Sequence, residues 1–270
     1  MQKVLITGST GFIGKALTED LLSKGVIVYG VSRLSKPNIV HKNYSHIFLN
    51  ICDSDLIPQL ELHVVDIHKI DTVFHLASPS TSTAFLNSPL SVTETILIGT
   101  MNVAKLSSLI GARMFYASSY GAAVIHTNYT FRDCYDVSKR AMETYLGDHP
   151  VNNLKPYIMR IPSVYGVGMP VHDDKIVSNF IRYSLTNKPD CFFRFPDGNS
   201  DSRNYIEVGD LIDQIYKQLE IGVSKTSSKG VDLTSTQLLQ SILGIVNNTD
   251  TEFNIPKMKE TIEYFRSNLI

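Results

Sequence analysis

With 270 residues, 43% of them apolar, the chain is long enough to bury the core of one large α/β domain or two small ones. A formal charge of −1 and a pI near 6.7 provide no basic field for nucleic acid, and no segment reaches the roughly 18 apolar residues of a membrane span. Cys52, Cys134 and Cys191 are odd in number and far apart, matching neither a disulfide framework nor a metal-ligand spacing. The chain runs directly into an apolar stretch without the features of a secretory signal, so a cytoplasmic protein with free thiols is expected.

In chain order, the apolar run Val4-Leu5-Ile6 reads as a strand, and Gly8-Ser9-Thr10-Gly11-Phe12-Ile13-Gly14 as a glycine turn leading into a helix over residues 15–24. Such a turn lets backbone N–H groups and the helix dipole face a pyrophosphate, because no side chain obstructs the approach. The glycine spacing alone is found in ordinary turns. The strand before it, the helix after it and a second apolar strand over residues 26–31 favour a dinucleotide site. That second strand ends in Ser32-Arg33, where a dinucleotide fold usually carries an acidic residue on the adenosine ribose. An arginine there pairs with a 2′-phosphate, so NADP is expected over NAD; the plainer reading is a solvated Arg33.

A third strand is expected over residues 46–49, followed by Asn50-Ile51, and a fourth over residues 71–78. A long helix from Pro89 to Ile110 precedes a fifth strand, residues 112–117, which closes at Ser118-Ser119-Tyr120. The alternation is that of a parallel sheet with helices on both faces. The next helix, residues 134–146, puts Tyr135 and Lys139 at i and i+4 on one face, where an ammonium favours the phenolate. Such a pair alone is usually a surface feature. Cys134 lacks a histidine partner and reads as packing, His75 as a hydrogen-bonded structural residue, and His172-Asp173-Asp174 as a solvated cluster rather than a metal site. Phe192-Phe193-Arg194-Phe195 reads as a strand, and residues 224–230, rich in Ser and Lys, as an exposed loop.

Several stretches occur together and in a known order: Thr7-Gly8-Ser9-Thr10-Gly11-Phe12-Ile13-Gly14, His75-Leu76-Ala77, Gly99-Thr100-Met101-Asn102, Phe115-Tyr116-Ala117-Ser118-Ser119, Tyr135 with Lys139, Arg160-Ile161-Pro162-Ser163-Val164-Tyr165-Gly166, and Arg203-Asn204-Tyr205-Ile206-Glu207-Val208-Gly209-Asp210. By these the chain resembles the extended short-chain dehydrogenase/reductase family, in its nucleotide-sugar epimerase, dehydratase and reductase branch. The resemblance implies a Rossmann-type doubly wound parallel sheet with a smaller C-terminal α/β substrate lobe. The NADP-binding domain would span residues 1–165 and the lobe residues 166–270, with the chain crossing back to the sheet around residues 203–220.

The resemblance also assigns roles. Ser119 would hold the reacting oxygen, Tyr135 would act as acid and base, and Lys139 would hold the ribose and lower the Tyr135 pKa. Gly8, Thr10, Gly11, Phe12, Ile13 and Gly14 would carry the pyrophosphate, Ser32 and Arg33 the adenosine phosphate, and Asn50 and Ile51 the adenine. Leu76, Ala77, Ser78 and Pro162 would line the inner cofactor edge. Ser118, Ser163, Asn179 and Arg203 would face the substrate, a nucleotide-diphosphate sugar, with Arg203 on its diphosphate and Asp197-Gly198-Asn199 framing the nucleotide. The helices from Pro89 to Ile110 and over residues 134–146 match those through which relatives form homodimers.

Departures from the family pattern narrow the reaction. Dehydratases carry an Asp-Glu pair directly after the catalytic hydroxyl residue, where this chain has Tyr120 and Gly121. Reduction of a 4-keto-6-deoxy sugar is therefore expected, since a reductase must exchange its nicotinamide with the NADPH pool and Arg33 suits NADPH. The alternatives are a 4-epimerase that retains NAD, a non-catalytic NADP-sensing protein and a reductase of small carbonyl compounds.

Overall fold

The computed structural model describes residues 1–34, 39–124, 132–148, 154–189, 202–250, 253 and 255–269. Cys191, the expected strand Phe192-Phe193-Arg194-Phe195 and Asp197-Gly198-Asn199 lie outside them. The chain divides into two compact units, one made of residues 1–80, 84–161 and 215–227, the other of residues 81–83, 162–214 and 228–270.

The first unit runs β1 (Lys3–Thr7), α1 (Phe12–Ser23), β2 (Ile27–Ser32), β3 (Tyr44–Phe48), α2 (Leu56–His63), a 3-10 turn (Ile67–Lys69) and β4 (Thr72–His75). The short α3 (Ser82–Asn87), α4 (Pro89–Ile110), β5 (Arg113–Ser119), a second 3-10 turn (Tyr120–Ala123), α5 (Asp133–Asp148) and β6 (Lys155–Ile161) follow. The remaining elements are β7 (Ser163–Tyr165), α6 (Ile176–Thr186), β8 (Arg203–Glu207), α7 (Val208–Ile221), β9 (Lys225–Ser227), β10 (Val231–Leu233), α8 (Ser235–Asn247) and α9 (Met258–Asn268).

Among the described residues the first unit holds a seven-stranded parallel sheet in the order β3-β2-β1-β4-β5-β6-β9. Val4, Leu5 and Ile6 have no exposed surface, as a strand covered on both faces requires of its continuous apolar run. Strand order reverses at β1, which lies between β2 and β4, and ligands of doubly wound sheets bind at the carboxyl ends of the strands beside such a point. Helix α4 has the expected limits because Pro89 starts it and Gly111, at φ 70°, ends it.

Three expectations need correction. Residues 224–230 are not simply an exposed loop: Lys225–Ser227 extend the sheet as β9, parallel to β6, and Ser228 is buried. An edge strand bonds through its backbone, so polar side chains concealed it. The first unit ends at Ile161 rather than at residue 165, because β7 leaves the large sheet and pairs Ser163 with Tyr205 of β8. The segment that returns to it is residues 215–227; Arg203–Glu207 belong to the second unit's sheet, ordered β10-β8-β7. In that unit α6, α8 and α9 pack together and bury Phe180, Ile181, Leu238, Ile242 and Phe265.

Candidate active site

A groove of about 290 Å³ lies over the strand ends of the first unit. Gly8, Thr10, Gly11, Ser32, Arg33, Asn50, Ile51, Leu76, Ala77 and Ser78 line it, ten of the residues singled out for the cofactor. Gly8 adopts φ 74°, and a Cβ there would lie 2.7 Å from the Ala77 nitrogen, so a side chain would both strain the turn and push β1 from β4. Gly11 is the N-cap of α1 and no side chain caps it, which leaves the positive end of the helix to a ligand. Asn102 of α4 donates to the carbonyls of Ile51 (2.9 Å) and Asp53 (3.3 Å) and thereby fixes the loop that carries Asn50 and Ile51. The exposed Arg33 and the buried Ser32, whose Oγ accepts from the Leu34 N–H at 3.2 Å, form the end of β2. These features fit a dinucleotide: backbone amides and a helix end for the pyrophosphate, an apolar wall for the adenine and a cation at the ribose.

The structure adds Val31, Leu34, Leu49, Pro79 and Thr95 to the lining. Thr95 had a signal, a polar residue one turn before Gly99 on the buried face of α4; the others are apolar residues of strand ends and loops that nothing in the sequence sets apart. Phe12, Ile13 and Gly14 form the first turn of α1, and Pro162 belongs to the second unit; none of the four lines the groove.

Beside the groove floor, His75 is fully buried, with Nδ1 2.7 Å from Thr7 Oγ1 and Nε2 2.9 Å from Thr100 Oγ1. Burial, aided by the Lys139 charge, holds its pKa down at about 3, so the imidazole is neutral.

On β5, successive side chains point to opposite faces. Ser119 lies beside Tyr135 of α5, whose ring stacks on Phe85 at 4.9 Å between centroids. Lys139 is 3% exposed, and its Nζ donates to the Ala117 carbonyl at 2.6 Å, 4.8 Å from the Tyr116 ring centre and 5.7 Å from that of Tyr135. The expected phenolate is not what this geometry favours. Desolvation pushes the Tyr135 hydroxyl up to about 12 against the opposing influence of the Ser119 hydroxyl, and burial pulls Lys139 down to about 7.

Ser118 was expected to face substrate, yet its buried hydroxyl donates to Glu143 at 2.5 Å. In the second unit Asn179 is likewise committed: its Nδ2 donates to the Asp174 carbonyl at 3.2 Å and its Oδ1 accepts from Arg182. Ser163 lies on β7, and Arg203 starts β8 with an exposed guanidinium. Asp173 and Asp174 accept hydrogen bonds from the Lys175 N–H and from Thr83, and among the described residues no cluster of three or more His, Cys, Asp or Glu could hold a metal. Cys134 packs against the core, and burial raises its thiol.

A doubly wound parallel sheet with a glycine turn at its switch point, and Ser119, Tyr135 and Lys139 on β5 and α5, defines the class: dinucleotide-dependent enzymes of the short-chain dehydrogenase/reductase type. The chain belongs to the NAD dependent epimerase/dehydratase family, whose sequence profile matches residues 4–229. UDP-glucuronic acid decarboxylase 2 of Arabidopsis thaliana is 28% identical over 235 residues, 81% of this chain and 51% of the relative. UDP-glucuronic acid decarboxylase 3 of the same plant is 27% identical over 266 residues, 91% of this chain and 75% of the relative. The chain thus spans about half the length of the first of these curated relatives.

Among solved structures, UDP-glucose 4-epimerase of Thermotoga maritima superposes with a TM-score of 0.80 at 20% identity, covering 100% of both chains. The enzyme WbmF of Bordetella bronchiseptica, in complex with NAD+, superposes with a TM-score of 0.81 at 20% identity, covering 99% of this chain and 93% of its own. At this identity the likeness is one of fold.

Proposed function

We propose that the protein reduces a nucleotide-linked 4-keto-6-deoxy sugar with NADPH, supplying precursors of glycans or surface polysaccharides in the cytoplasm. The observation that carries this reading is the state of Tyr135, a half-buried phenol beside Ser119 that is kept protonated at neutral pH. A neutral phenol is a proton donor, and reduction of a ketone needs a donor at the oxygen. When bound, the nicotinamide supplies the hydride. Ser119 holds the keto oxygen, Tyr135 gives it a proton as it becomes a hydroxyl, and Lys139 holds the ribose. Arg33 supports NADPH as the cofactor, and Arg203 is a fork suited to a diphosphate.

Gly121 supports reduction over dehydration. It stands where dehydratases carry an acidic residue, and a Cβ there would press on the Asp136 carboxylate, which would have to move aside. Exposed Leu90, Ile98, Met101 and Leu109 of α4 and Val137 of α5 support a homodimer through these helices, to be checked by light scattering on the purified protein.

Purified protein incubated with NADPH and a panel of 4-keto sugar nucleotides is expected to oxidise one NADPH per sugar reduced. Absence of oxidation across the panel overturns the reading. A second reading, an epimerase that retains NAD, draws support from the NAD dependent family and from the fold likeness to UDP-glucose 4-epimerase. It predicts NAD bound on purification and sugar interconversion without net cofactor use. Carbon dioxide released from UDP-glucuronic acid would instead align the chain with the decarboxylases it matches.

A further inference from the structure

One helical turn beyond Lys139, α5 carries an acidic side chain to which the proposed reaction assigns no part. The Glu143 side chain is 2% exposed and receives donors from three neighbouring strands. Ser118 of β5 donates to its Oε1 at 2.5 Å, Arg160 of β6 donates from Nε to Oε1 at 2.9 Å and from Nη2 to Oε2 at 2.7 Å, and Lys225 of β9 reaches Oε2 at 2.9 Å. Burial alone would raise this carboxyl, but the bonds from Arg160, Lys225 and Ser118 outweigh it and hold it at about 2. Glu143 is therefore an anion over the whole working range of pH.

A buried ion cluster is an inefficient way to stabilise a fold, because desolvation offsets most of the attraction and apolar residues of similar size do as well. What apolar residues cannot supply is a fixed negative charge beside Lys139. The two residues share a face of α5, and the sheet receives them at consecutive positions, Lys139 at the Ala117 carbonyl and Glu143 at the Ser118 hydroxyl. The titratable groups facing Lys139 are Tyr116 of β5, His75 of β4, and Tyr135 and Glu143 of α5. The tyrosines and the histidine are neutral at pH 7, which leaves the negative charge to Glu143.

We propose that Glu143 is a positioning residue: it seats α5 on β5, β6 and β9 through Ser118, Arg160 and Lys225, and it presents Lys139 to the dinucleotide ribose as a cation. The inference rests on the role of Lys139 given above, and the test separates the two. Affinity for NADPH, and in parallel for NADH, which lacks the titrating 2′-phosphate, is measured by fluorescence from about pH 5.5 to about 9. In the wild type, affinity falls as Lys139 loses its proton, with a midpoint near 7. Glu143→Gln removes the anion, so the midpoint moves down by about half a pH unit or more. Lys225→Met removes a countercharge from Glu143, so the midpoint moves up. Lys225 is half exposed, and this variant supplies the sign even if Glu143→Gln fails to fold. A titrating wild type whose midpoint stays in place in the folded variants, whatever happens to the melting temperature, makes Glu143 an anchor only and overturns the inference. A flat wild-type profile overturns the role of Lys139 itself, and the inference falls with it.

Discussion

Acidifying the protein from about pH 7.5 to about 5 tests the buried polar floor under the groove. His75 is held between Thr7 and Thr100 with a folded-state pKa of about 3, against 6.5 for the free imidazole. A depressed pKa means that the full stability is present above pH 6.5 and is lost as pH falls toward 3, because the unfolded chain takes up a proton that the folded chain refuses. At pH 5 the solution lies about 1.5 units below the unfolded value, and at about 1.4 kcal/mol per unit this one residue costs about 2 kcal/mol of folding stability. That is a large part of the roughly 5–15 kcal/mol of a typical domain. Glu143 does not confuse the measurement, since its window lies between 4.5 and about 2. The assay is urea unfolding of wild type and His75→Gln at both pH values, followed by near-ultraviolet ellipticity. The glutamine is uncharged throughout, so the variant, whatever its stability at pH 7.5, loses about 2 kcal/mol less on acidification. Equal losses in the two proteins would refute the reasoning and place the acid sensitivity elsewhere.

Tyr135→Phe removes the proton donor but keeps the ring stacked on Phe85; kcat for reduction is expected to fall roughly 10²- to 10⁴-fold while fluorescence titration finds dinucleotide affinity unchanged. Arg33→Ala should weaken NADPH about tenfold and leave NADH alone in competition titrations, as expected of an exposed arginine on a 2′-phosphate. Gly8→Ala brings a Cβ to 2.7 Å from Ala77 N in a left-handed conformation, so melting temperature and dinucleotide affinity should both drop. Gly111→Ala, at φ 70° with nothing within 4 Å, carries only the conformational strain of about 1 kcal/mol and should lower the melting temperature without touching affinity.

Much of this protein was determined by its sequence alone, wherever the controlling physics is local. The run Val4-Leu5-Ile6 into the glycine turn, the limits of α4 at Pro89 and Ile110, and the shared face of Tyr135 and Lys139 follow from apolar runs, caps and the helical repeat. The motif order carried the family and the fold. What only the tertiary structure decided are pairings between residues distant in the chain and the charge states that burial imposes. Strand alternation says that Ser118 and Ser119 face opposite sides, but only packing shows that the first meets Glu143, 25 residues on, and the second Tyr135. Lys225 was hidden in a stretch read as a loop because its strand bonds through the backbone, whose donors are the same in every residue. The helical spacing of Tyr135 and Lys139 argued for a phenolate; desolvation, which depends on everything packed around the pair, holds the phenol protonated.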